Sequence, residues 1–77
     1  MSEQPEGALV FDTGRDELGY VMGHEGPYVQ LRPVAGGREW DADPAHVRPA
    51  TQDERLEAVR VRTRAMNFFS SNGGAFP

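Results

Sequence analysis

The sequence predicts a mainly-β fold, a small antiparallel barrel or sandwich followed by one C-terminal α-helix, and three observations carry that prediction. Short apolar runs recur at about ten-residue spacing between residues 8 and 48, each ended by Gly, Pro or Asp. From Thr51 a capping-box sequence opens a stretch with helical periodicity. The chain has 77 residues, 38% of them hydrophobic and none of them Cys, which leaves room for one thin core without disulfide or thiolate-metal staples.

Residues 1–6 read as a disordered leader, because Pro, Glu, Gln and Ser offer nothing to bury. This start is acidic, the reverse of a signal peptide, and no apolar run approaches the roughly 18 to 20 residues of a membrane span. A cytoplasmic protein without membrane contact is expected.

The β domain is expected over 7–50. Its runs are 8–11, closed by Asp12-Thr13-Gly14; 18–22, closed by 23–27; 28–32, closed by Pro33 and the Gly36-Gly37 turn; 38–41, closed by Asp43-Pro44; and 46–48. If 23–27 is a five-residue loop, Met22 lies opposite Tyr28, Val21 opposite Val29, Tyr20 opposite Gln30 and Gly19 opposite Leu31. Val21, Val29 and Leu31 then share the core face, with Gly19 leaving space beside Leu31. Leu18, Tyr20, Met22, Tyr28, Gln30 and Arg32 share the other, which is too apolar for ordinary solvent-facing sheet and calls for a cover.

The C-terminal segment 51–68 supplies one. In Thr51-Gln52-Asp53-Glu54 the hydroxyl and the carboxylate have capping-box spacing, and the acidic pair suits the positive end of the helix dipole. Leu56, Val59, Thr63 and Met66 recur at 3, 4 and 3; Ala58, Val61, Ala65 and Phe68 form a second, weaker stripe. Residues 69–77, rich in Ser, Asn and Gly, read as a flexible tail, with Phe68 and Phe69 anchoring the helix. The helix either covers the sheet of its own chain or binds in trans, and a homodimer through it is one form of the latter.

The run Gly7-Ala8-Leu9-Val10-Phe11-Asp12, then Gly19-Tyr20-Val21-Met22, Tyr28-Val29-Gln30-Leu31-Arg32-Pro33, Gly36-Gly37-Arg38-Glu39-Trp40 and Val47-Arg48-Pro49 resembles the small SH3-like barrels. It is similar in particular to short proteins of GC-rich actinobacteria. The Gly-x-Val of the second run also resembles the KOW type found in ribosome- and transcription-associated proteins, although the loop at 23–27 lacks that type's basic residues. The resemblance implies a five-stranded antiparallel barrel and brings no catalytic residues with it.

All eight basic residues are Arg, and Lys and Ile are absent, as a GC-rich genome would give. Charge is segregated: nine acidic residues face three Arg up to residue 47, and five Arg face three acidic residues after it. An acidic sheet repels phosphate and disfavours general nucleic-acid binding. Arg60, Arg62 and Arg64 are the candidate contacts for the alternative function, a nucleic-acid-associated accessory module of transcription or translation. The leading expectation is a non-enzymatic protein-interaction or regulatory module. Its candidate groove is Tyr20, Met22, Tyr28, Gln30 and Arg32 with Trp40 nearby, because planar rings give large contact area and attract cations.

No cofactor and no metal are expected. His24 and His46 with Asp41 and Asp43 lack any recognised ligand spacing. Ser2, Ser70 and Ser71 fall in the expected flexible tails, and the sequence offers no Gly-rich phosphate loop or paired carboxylate in a buried setting.

Overall fold

The computed structural model describes residues 4–73, with side chains described as far as residue 66. Five antiparallel strands, β1 (Leu9–Asp12), β2 (Glu17–Glu25), β3 (Tyr28–Pro33), β4 (Trp40–Ala42) and β5 (Val47–Pro49), precede one helix, α1 (Gln52–Gly73). The strands form a single sheet in the order β4-β3-β2-β1-β5. β1 to β4 are a meander, and β5 returns to the free side of β1. The sheet is not closed: β4 and β5 are its two edges.

The β2–β3 hairpin is tighter than the sequence suggests. Gly26 takes φ +59 and, with Pro27, makes a two-residue turn, so β2 continues to Glu25 opposite Tyr28. Tyr20 consequently pairs with Arg32 and Gly19 with Pro33, in place of the expected Gln30 and Leu31. The turn alone would set Val21 opposite Arg32, an inward residue against an outward one. A bulge at Met22 between Val21 and Gly23 restores the match, and Val21 meets Leu31. The net displacement from the expected register is two residues, which preserves the faces.

Val10, Val21, Val29, Leu31, Trp40 and Ala42 therefore form the main core, with Ala8 and Val47 packed against it. These residues come from every strand of the sheet, so the sheet curls around them. Asp12 fixes the curl. Its Oδ2 accepts from Trp40 Nε1 at 2.8 Å, and its Oδ1 accepts from the backbone N–H of Gly14 at 2.9 Å and of Arg15 at 3.2 Å. Three strand spacings on a flat sheet amount to about 14 Å, farther than an indole and a carboxylate reach together. The Arg15 guanidinium lies over the Trp40 ring at 4.5 Å and pairs with Glu17.

Trp40 is thus a core residue and does not join the candidate groove. It pairs with Leu31 on the inward face, and its N–H is used by a buried carboxylate.

Beyond β4, Asp43 caps a 3-10 turn (Pro44–His46) by accepting from the N–H of Ala45, as the Asp-Pro pair suggests. At the N-terminal end, Gly7 donates to the carbonyl of Val21 and Ala8 to that of Pro5. Residues 1–3 of the expected leader lie outside the described residues. α1 runs to Gly73, five residues past the expected boundary at 68, because Ser and Asn are weak helix formers without being breakers. The remainder of the expected tail, 74–77, lies outside the described residues.

Candidate functional site

α1 is held at its start by two devices. Glu54 donates its backbone N–H to Thr51 Oγ1 at 3.1 Å, and Thr51 donates its own to Glu54 Oε1 at 2.8 Å, completing the capping box. The same carboxylate receives both guanidinium nitrogens of Arg48 at 2.8 Å, while the Arg48 guanidinium lies over the Phe11 ring at 4.7 Å. The helix is thereby tied to β5 and β1 within a turn of its start.

Those bonds hold the Glu54 carboxyl at about 2, well below its ordinary 4.5, the Arg48 hydrogen bonds contributing most and the backbone bond from Thr51 next. A depressed carboxyl stabilises the fold above its unfolded value and loses that contribution as pH falls toward the folded one. Helix content and urea midpoint are expected to decline between about pH 4.5 and pH 2. Glu54→Gln should flatten that limb in far-UV circular dichroism; an unchanged profile would contradict the coupling.

The helix docks through the weaker of its two stripes. Ala58 is 2% exposed and packs with Leu9 and Ala50; Leu18, Tyr20 and Val34 surround them. Val61 and Ala65 on the same side are half-buried. Small residues suit this contact because Leu9, Leu18 and Tyr20 already fill the space, and Ala lets the helix backbone approach. Arg62 closes the contact, its guanidinium 5.8 Å from the Tyr20 ring centre and its Nη1 donating to the Tyr20 hydroxyl at 3.4 Å.

The stronger stripe faces away. Leu56, Val59 and Met66 are 49%, 62% and 61% exposed, and Thr63 is exposed between them. At 3.6 residues per turn this stripe lies about 150° around the helix from the Ala58 side. An open depression of about 410 Å³ is lined by Val59, Arg60, Thr63 and Arg64. The molecule is elongated, 50 × 26 × 19 Å, in keeping with a helix about 33 Å long on a small sheet.

The remaining candidate residues divide into groups. Tyr20 is half-buried under Arg62, so the helix of the same chain covers that part of the expected groove. Met22 and Tyr28 stay exposed. Gln30 donates to Asp41 at 3.5 Å and Arg32 pairs with Glu39 at 3.2 Å, which places acidic partners beside both polar members of the groove. Arg60, Arg62 and Arg64 do not form one patch. Helical geometry sets Arg60 and Arg64 on one flank of the outer stripe and Arg62 on the other, where Arg60 meets Glu57 and Arg62 meets Tyr20.

Leu56, Val59 and Met66 were absent from the sequence-derived site although their spacing was plain. The overlooked signal is that two stripes compete for one sheet face, and only one can be covered. Among the described residues no group of three His, Cys, Asp or Glu could hold a metal ion, and no helix is long and apolar enough to cross a membrane. Compared with protein-family models, curated proteins and solved structures, the chain matches none.

Proposed function

We propose that this protein is a non-enzymatic protein-interaction module, cytoplasmic and without a cofactor, in which an SH3-like barrel carries a helix that presents a docking stripe. The meander with β5 returned beside β1 and the Trp40–Asp12 bond across the curled sheet support the barrel reading. One observation carries the functional reading: the helix spends its alanine side on its own sheet and leaves Leu56, Val59 and Met66 to solvent. Exposed apolar side chains are unremarkable singly, but a row at helical spacing on a chain with so little core is a surface for association.

A photo-crosslinking amino acid placed at Val59 in the native cell tests this reading. Discrete protein adducts that resist nuclease digestion are expected at position 59 and not at Arg38, away from the stripe. Adducts that vanish with nuclease would favour the nucleic-acid alternative, and an absence of adducts would refute the module.

A further inference from the structure

The outer stripe has the alternation of a coiled-coil seam, with Leu56 and Thr63 at the a positions and Val59 and Met66 at the d positions. Its flanks carry a net positive charge. Arg55 and Arg62 border it on one side with no acidic neighbour there; Asp53 and Arg60 border it on the other, with Glu57 and Arg64 next outward, so the surplus of positive charge lies on the Arg55–Arg62 side. All six are exposed, and the Arg60 side chain remains 67% exposed despite its contact with Glu57.

We propose that this face receives an amphipathic helix with acidic flanks from a different protein. The proposal deepens the interaction-module reading and rests on it. Charge selects this occupant over a second copy of the chain. In a parallel self-pair the g and e' positions meet, setting Arg55 against the second copy's Arg60. In an antiparallel self-pair with full overlap, Leu56 lies opposite Met66, and both Arg60 and Arg62 meet their own copies close to the symmetry axis. Each arrangement that buries the whole stripe brings arginines together, whereas Glu or Asp at the partner's e and g positions would pair with them. The acidic sheet does not oppose such a partner strongly. It lies on the far side of α1, across a helix diameter of about 10 Å, which exceeds the Debye length of about 8 Å at physiological salt.

The test uses the full chain and two fluorescein-labelled three-heptad helical peptides, both with Leu at every a and d position, one with Glu and the other with Lys at every e and g position. The Glu peptide is expected to bind at least about ten-fold more tightly by fluorescence anisotropy, with the advantage shrinking as salt rises. The variant Arg55→Glu/Arg60→Glu, which touches only exposed residues, should keep its circular dichroism spectrum and reverse the preference. Equal binding of the two peptides, or binding of neither, would overturn the proposal. So would sedimentation of the chain as a dimer that Leu56→Gln/Val59→Gln dissolves. Adducts at Val59 in cells combined with no charge preference would remove this inference and leave the module reading standing; absence of both would remove both.

Discussion

Asp12→Ala is expected to leave the protein largely unfolded at 25 °C without denaturant. Asp12 is 5% exposed, and its two oxygens accept from the Trp40 indole and from the backbone N–H groups of Gly14 and Arg15. Removing the carboxylate strands a buried indole N–H and undoes the turn into β2. At about 1 to 3 kcal/mol for the stranded indole and about 0.5 to 1.5 kcal/mol for each of the two part-buried backbone bonds, the loss is about 2 to 6 kcal/mol. A domain of this size rarely holds more than about 5 kcal/mol in total. Trp40, the single Trp, reports directly through its fluorescence in a urea titration. Asp12→Asn keeps one acceptor oxygen and should fall between the two. A cooperative transition at the unmodified midpoint in Asp12→Ala would show that the bond does not organise the curl.

The second large effect is steric. At Gly19 a Cβ would sit 3.0 Å from the Arg32 carbonyl oxygen, 3.0 Å from Trp40 Cη2 and 3.3 Å from Leu31 Cβ. The carbonyl belongs to the paired backbone of β3 and the indole is held by Asp12, so neither neighbour yields readily. Gly19→Ala should therefore cost about 1 to 3 kcal/mol through overpacking, although an alanine in a strand ordinarily gains about 0.5 to 1 kcal/mol over glycine. Gly23 provides the control on the same strand. The nearest atom to its would-be Cβ is Glu6 Oε2 at 3.9 Å, so Gly23→Ala should raise the urea midpoint by the ordinary strand gain of about 0.5 to 1 kcal/mol. Equal midpoints for the two variants would contradict the packing described for Trp40 against β2.

The order of five antiparallel strands and one C-terminal helix was legible because each strand is a short run with a turn residue at its end, and the helix start because Thr51 and Glu54 have only one useful geometry at that spacing. The faces of the β2–β3 hairpin were legible too, since alternation survives a displacement of two residues. Its register was not. Gly26-Pro27 suffices as a turn, and the bulge at Met22 is imposed by the need to align Val21 with Leu31, a tertiary demand that local sequence does not display. The role of Trp40 was obscured for a similar reason. An aromatic residue in a polar run reads equally as surface or core until its N–H finds Asp12, 28 residues earlier. Tyr20 was recognised as outward-facing, but its cover depends on which side of α1 turns inward. Hydrophobicity alone favours Leu56 and Val59 for that contact; the volume already taken by Leu9, Leu18 and Tyr20 favours Ala58.

This choice of side is the foundation of the functional reading, and the stability of Leu56→Gln/Val59→Gln/Met66→Gln tests it most directly. Gln keeps high helix propensity while removing the apolar surface. With the stripe facing solvent, the urea midpoint of the triple variant should match that of the unmodified chain, within about 0.5 kcal/mol per substitution. A loss of about 3 kcal/mol or more would place the stripe against the chain's own sheet and contradict the account.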